Sequence, residues 1–311
     1  MILDCTFRDG GYYVDWDFNE SLVNKYLQAI EISKIDIVEM GFRFIPKDKF
    51  LGASAYTSDD YLNSLQLPKS VNIAVMVNAD ELINYKDGLN EAVKLLFNKK
   101  IDSPVDIVRI AAHVKDINSC KDLVSLLKNL GYRVCLNIMQ VDSLKFENLT
   151  DIAKIISDWN SVEVLYFADS FGNMNSESVE NTILAIKSGW SGNIGFHAHN
   201  NKGQALINCL TALKSGVSYI DSTIFGMGRG AGNVKTEILL IEMSLRGYGD
   251  YNAKGVFDIA VNQFQKLYDI HKWGPNIYYH LSAIYGIHPT YIQEMLSDDR
   301  YKNSDIISSI E

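Results

Sequence analysis

Short runs of β-branched and aliphatic residues alternate along the chain with longer stretches whose apolar positions recur every three or four residues, the order that parallel βα units produce. The strand-like runs cover residues 2–7, 35–40, 71–77, 105–110, 133–138, 162–168, 193–199 and 219–224. Helical periods fill 19–32, 119–130, 149–159, 176–188 and 203–215. Eight strand-then-helix units predict an α/β fold, a TIM (β/α)8 barrel over residues 1–245, with a doubly wound open sheet as the alternative. From 246 to 311 strands cease and helical segments take over at 256–268, 277–285 and 291–296, broken at Trp273-Gly274-Pro275. This part reads as a C-terminal helical extension whose polar end, 297–311, is expected to fray.

On the first run, alternation places Asp4, Thr6 and Arg8 on one face and Leu3, Cys5 and Phe7 on the other. Three polar residues looking into a barrel imply a binding site at its mouth. Composition narrows the picture further. With 47% hydrophobic and 22% charged residues, a chain of 311 residues can bury a large core, which excludes general disorder. The net charge of -9 is dispersed, so it leaves no footprint for nucleic acid or an anionic membrane. The longest apolar runs, 71–77 and 162–168, fall far short of the ~20 residues that span a bilayer. No leader segment is visible, and Cys5, Cys120, Cys135 and Cys209 form no CxxC pair. Reduced thiols and a cytoplasmic address are the expectation.

The chemistry is concentrated at predicted strand ends, where barrels of this class build their sites. His197 and His199 close the seventh run, and their i,i+2 spacing points both imidazoles the same way, able to share a metal. An isolated HxH is equally compatible with two hydrogen-bonded core histidines. Asp9 follows the first strand, which in a closed barrel neighbours the eighth, itself beside the seventh. One Asp and two His suit Mn²⁺ or Mg²⁺ and also accept Zn²⁺ or Co²⁺. Arg8 offers a permanent cation to an enolate or carboxylate oxygen, or else an ion pair with Asp4 or Glu39. After the eighth strand, Gly226 to Asn233 is glycine-rich but misplaced for a dinucleotide fingerprint. Gly228 there lets backbone approach a ligand, and Asn233 can add a carbonyl oxygen to the metal or contact substrate. His113, Asn137 and Gln140 are candidates for acid-base work or substrate contact, and Thr6, Glu39, Asp169 and Ser170 for substrate binding. His271, His280 and His288, in the extension, are expected to be structural.

Taken together, the DCTFRDGG start, the FHAHNNKG run at His197 and His199 and the GMGRGAGN loop resemble the DRE-TIM metallolyase superfamily, also called HMG-CoA lyase-like. Glu39-Met40-Gly41, Asp106 to Ala111 and Asp169-Ser170-Phe171-Gly172 look like further strand-end signatures of that group. The nearest pattern is that of the 4-hydroxy-2-oxovalerate aldolases, with a weaker likeness at Trp273-Gly274 and His288-Pro289-Thr290-Tyr291. The resemblance implies that Asp9, His197 and His199 are metal ligands, Asn233 an additional one in some members, and Arg8 the enolate-stabilising cation. It implies a divalent-metal-dependent aldolase-type lyase acting beside the carbonyl of a 2-oxo (hydroxy) acid. It also implies a homodimer and a dehydrogenase partner that consumes the aldehyde.

The chain departs from that pattern at Tyr12, where the aldolases carry a catalytic histidine three positions after the ligand aspartate. The acid-base expectation passes to Tyr12, with Tyr13 beside it as the alternative, although a phenol is a weaker base than an imidazole at neutral pH. The loop has no cysteine of the HMG-CoA lyase kind, and Gly11-Tyr12 stands where the synthases carry Glu-Gln. Two other readings follow: a Claisen-type acyl-CoA synthase on the same metal site, and a catalytically inactive metal-binding barrel that partners another protein.

Overall fold

The computed structural model describes residues 1–310. Eight parallel strands close into a barrel in chain order: β1 Ile2–Asp4, β2 Ile37–Phe42, β3 Asn72–Asn78, β4 Ile107–Ala112, β5 Arg133–Ile138, β6 Val164–Asp169, β7 Asn193–Ala198 and β8 Tyr219–Ser222. β1 pairs with β8, Leu3 opposite Asp221, so the sheet has no edge and the open-sheet alternative falls away.

Strand parity sorts the side chains into two cores. Leu3, Ile37, Ala74, Ile107, Cys135, Val164, Tyr166 and Tyr219 fill the barrel interior. Their neighbours along each strand, such as Val38, Val75, Val108, Leu136, Phe167 and Phe196, face the surrounding helices. Each such apolar side chain contributes about 1.5–3 kcal/mol relative to exposure. Above the inner apolar layer, towards the strands' C-terminal ends, the interior turns charged: Glu39, Arg109, His197 and Asp221 are all buried there.

The first strand differs from expectation. It ends at Asp4, and residues Thr6–Gly10 form a helical turn. The Asp4 carboxylate accepts from both the backbone N–H and the hydroxyl of Thr6, and this local capture turns the chain out of the sheet. The face assignment is therefore reversed: Leu3 points inward, while Asp4 points to the helical layer and accepts from Tyr26 and Thr236.

The extension has two parts. The helical rod from Lys254 to His271, with a π-helical turn at Ala260–Phe264, packs Val256, Ile259 and Phe264 into the same core as the barrel helices, as does Trp273. Helices Ile277–Tyr285, Pro289–Leu296 and Asn303–Ile310 instead form a small cluster through Tyr279, Ile292, Ile306 and Ile310, closed by Ala231 of the glycine-rich loop. The expected frayed end is thus a helix up to Ile310, because Ile306 and Ile310 fall one turn apart on a face that has a surface to bury against. Glu311 lies outside the described residues. Among the described residues no helix is long and apolar enough to cross a membrane.

Candidate metal centre

β7 carries two ring nitrogens to the mouth. Gly195, His197 and His199 share the inward parity, and Gly195 lets the Tyr166 ring pass, since a Cβ there would meet that ring at 2.3 Å. The His197 Nδ1–H donates to Asp221 at 3.0 Å, and Nδ1 of His199 faces the Ser170 carbonyl at 3.4 Å. Both Nε2 atoms are thereby turned to the same point, 3.3 Å apart. Two acceptor nitrogens at that distance need a cation or proton between them. Asp9 completes the constellation, with Oδ2 3.6 Å from His197 Nε2 and 3.9 Å from His199 Nε2.

Asn233 arrives by backbone pairing. The segment after β8 folds back so that Asn233 forms an antiparallel bridge with His199. That return needs Gly232, at φ +69°, where a Cβ would lie 2.1 Å from the Gly226 carbonyl oxygen. Gly228 is needed for space: a Cβ there would sit 2.4 Å from Asn233 Nδ2 and 3.0 Å from Asp9 Oδ2. The Asn233 amide donates to Asp9, while its Oδ1 is buried without a partner.

Behind the ligands runs a buried ionic chain. Arg8 donates to Asp9 and Glu39, each at 2.8 Å. Glu39 in turn accepts from Arg109 at 3.1 Å, and Arg109 donates to Asn137 at 3.2 Å and to Asp221 at 2.6 Å. The Arg109 guanidinium also rests on the Tyr166 ring, 4.2 Å from its centroid. Three carboxylates (Asp9, Glu39, Asp221) face two arginines (Arg8, Arg109), which leaves one buried negative charge unmatched. Burial alone would raise Asp9, but Arg8 and the two imidazoles outweigh it and hold Asp9 well below the usual carboxylate range. Burial likewise works against His197, yet Asp221 and Asp9 raise it. His199 is pushed down to about 3 by burial and by its neighbour His197.

The residues present fit a divalent cation on three observations of this molecule: two Nε2 atoms facing each other, an orphaned Asn233 Oδ1, and an excess buried negative charge. Cys5, His197 and Asp221 form a second group with donor atoms within 4.8 Å of one another. It is the poorer candidate, because Asp221 is already engaged by Arg109 and His197 Nδ1, and burial drives the Cys5 thiol well up. The first group opens into a cavity; Arg8, Asp9, Tyr12, Asn137, Ser170, His197, His199 and Arg229 all line it.

The other expected site residues divide. Ser170 and Asn137 face the cavity; Gly228 abuts the ligands; Tyr12, half-exposed, stands at the rim with its ring edge against Trp16. Thr6 is not at the mouth: its hydroxyl donates to Asp4 and accepts from the Ile224 N–H, because the chain has left the strand by then. Asp169 points outward and caps the following loop through the N–H groups of Asn173 and Met174. Burial, then Asp142, raises it to about 7. Glu39 is held between two arginines, with both carboxylate oxygens engaged. His113 follows β4 but does not line the cavity. His288 caps the Pro289–Leu296 helix, a structural role. The residues that sequence reasoning passed over are Asp221, Arg109 and Arg229. Asp221 and Arg109 each sit two positions after an inward apolar residue, Tyr219 and Ile107, and that spacing was the available signal.

Fold and site together define a (β/α)8 barrel with a histidine and carboxylate centre for a divalent metal at its C-terminal mouth. The HMGL-like family model matches residues 1–273, and the chain belongs to this family. Among curated relatives, the 4-hydroxy-2-oxovalerate aldolase of Carboxydothermus hydrogenoformans is 30% identical over 255 residues, 79% of this chain and 71% of the relative. That of Pelotomaculum thermopropionicum is 27% identical over 250 residues, 79% and 70% respectively. Among solved structures, the N-terminal domain of a candidate aldolase from Bacteroides vulgatus superposes with a TM-score of 0.84 at 31% identity over 99% of both chains. The HMG-CoA lyase of Brucella melitensis, at 14% identity, TM-score 0.69 and coverage of 86% and 97%, shares the fold.

Proposed function

We propose that the protein is a divalent-metal-dependent aldolase that cleaves, or in reverse forms, the C3–C4 bond of a 4-hydroxy-2-oxo acid. The observation that carries this reading is that Asp9, both Nε2 atoms, Asn233 and Arg8 converge on one cavity. Asp9, His197 and His199 would hold the cation and Asn233 Oδ1 could add a further oxygen, a set that favours Mn²⁺ or Mg²⁺ and accepts Zn²⁺ or Co²⁺. The cation supplies Lewis-acid polarisation of the 2-oxo group.

The chain's own residues do the rest. Nε and Nη1 of Arg8 are committed to Glu39 and Asp9, and among the described residues Nη2 has no partner, so it is left to stabilise the enolate oxygen of the three-carbon fragment. Asp221 fixes the His197 tautomer, and Arg109 fixes Asp221. As the C3–C4 bond breaks, its electron pair goes to C3 and the C4 hydroxyl loses its proton. Tyr12 carries the one phenol among the described cavity-lining residues. Its hydroxyl accepts that proton while passing its own to water at the rim, and the return of a proton to C3 releases pyruvate.

Pyruvate release from a panel of 4-hydroxy-2-oxo acids tests the reading. Turnover is expected with Mn²⁺, and none above the blank after chelation or in the His197→Ala/His199→Ala double variant. Full turnover in either case would overturn it. Four buried, unpaired cysteines support a reducing, cytoplasmic setting. The C-terminal likeness supports an aldehyde-consuming dehydrogenase as partner, for which co-purification is the test.

A further inference from the structure

The glycine-rich loop carries one side chain that the reaction as described leaves idle. Arg229 lines the same cavity as the ligands. Arg8 there is neutralised twice, by Asp9 and by Glu39. Arg229 is different: among the described residues no carboxylate lies within ion-pair distance of its guanidinium, and its Nε is buried without a hydrogen-bond partner. Its position is not that of a loose surface chain. The guanidinium lies over the Tyr12 ring, 5.2 Å from the centroid. The backbone beside it is pinned, since the Gly230 N–H donates to Gln293 at 2.9 Å and the Gly230 carbonyl accepts from Gly274 at 3.2 Å. A half-buried guanidinium with open donors is costly to keep unless an anion completes it, and its planar fork matches a carboxylate.

We infer that Arg229 binds a second, distal carboxylate of the substrate, so that the preferred substrate is a dicarboxylic 4-hydroxy-2-oxo acid. This rests on the aldolase reading above, in which the 2-oxo end of the substrate is taken up at the metal centre. Tyr12 marks the direction of the distal end. It lines the metal cavity and also the larger cleft under the C-terminal helices, with Tyr13, His271, Asn276 and Tyr279. A cation stacked on Tyr12 therefore stands where the substrate beyond C4 leaves the cavity. In a chain of net charge -9 it is also what offsets the repulsion of a doubly charged acid.

Two unreactive probes separate the tail from the head: 2-oxoglutarate with an anionic tail and 2-oxobutyrate with a neutral one, titrated calorimetrically into the Mn²⁺-loaded protein. The wild type is expected to bind 2-oxoglutarate about 10–100-fold more tightly, the range a charge-assisted hydrogen bond supplies. Arg229→Gln should erase that difference while holding 2-oxobutyrate within about 3-fold, and Arg229→Lys should keep part of it. Equal affinities in the wild type, or an equal loss on both probes in Arg229→Gln, would overturn the assignment. Pyruvate release distinguishes the two readings. Discrimination in binding without release from any 4-hydroxy-2-oxo acid sinks the aldolase and keeps Arg229, whereas release with no preference for an anionic tail does the reverse.

Discussion

The ends of β7 and β1 supply the proposed metal centre by different means. β7 stays extended to Ala198, paired with β6 through Ala168 opposite His197, so the His197 imidazole is aimed by the pleat of a hydrogen-bonded strand and His199, one residue beyond it, continues that pleat into its bridge with Asn233. β1 stops at Asp4, and Asp9 reaches the centre on the Thr6–Gly10 turn. What holds Asp9 is its surroundings: the Arg8 guanidinium, the Asn233 amide, and the room left by Gly228. The indole N–H of Trp16, donating to the Arg8 carbonyl at 2.9 Å, fastens the turn from the outside. A ladder fixes a ligand to within the play of the strand, while a turn fixes it only as well as its neighbours do. The histidine side of the centre should therefore resist remote change, and the aspartate side should respond to it.

Substitutions can break or sharpen that contrast. The largest effect is expected from Gly228→Ala. Its methyl would lie 2.4 Å from Asn233 Nδ2 and 3.0 Å from Asp9 Oδ2, so the aspartate side must shift and metal affinity by calorimetry should fall by about 100-fold. Asp221→Asn acts on the histidine side. The amide oxygen still accepts from His197 Nδ1, but the charge that faces Arg109 is gone, so a loss of about 10-fold is expected. A larger loss from Asp221→Asn than from Gly228→Ala would invert the contrast. Trp16→Phe keeps most of the packing against Phe42 and Phe44 and deletes the hydrogen bond to Arg8. Urea unfolding should show about 0.5–1.5 kcal/mol lost, and because the turn that carries Asp9 is loosened metal affinity should fall by about 3–5-fold.

The same contrast explains what could be read from the chain alone. Strands β2 to β8 follow from β-branched runs set between helical periods, because both faces of a barrel strand are buried and the run is apolar throughout. His197 and His199 were legible because period two needs no knowledge of what lies opposite. Parity, however, tells which residues share a face and not which face looks inward. At β1 the polar set Asp4, Thr6, Arg8 suggested the wrong one. The run continues in β-compatible residues as far as Phe7, and only the capture of Thr6 by Asp4 ends the strand. Arg109 and Asp221 were passed over as sites for a related reason. A charge inside an apolar strand declares its role only through its partners, and those lie 70 and 112 residues away in the chain. Asp169 misled in the opposite sense, since a strand-end carboxylate that caps its own loop looks in sequence like one that meets a substrate.

Asn233 touches Asp9 across 224 residues of chain, and both lie beside the seam where β8 meets β1. Contacts of such separation carry a high loop-closure cost and are formed late, so this centre exists only once the ring of strands has shut. A ligand captured there favours the shut ring over every partly assembled state by mass action. The centre then acts as a clasp. Its occupancy should slow the opening of the barrel far more than it hastens assembly.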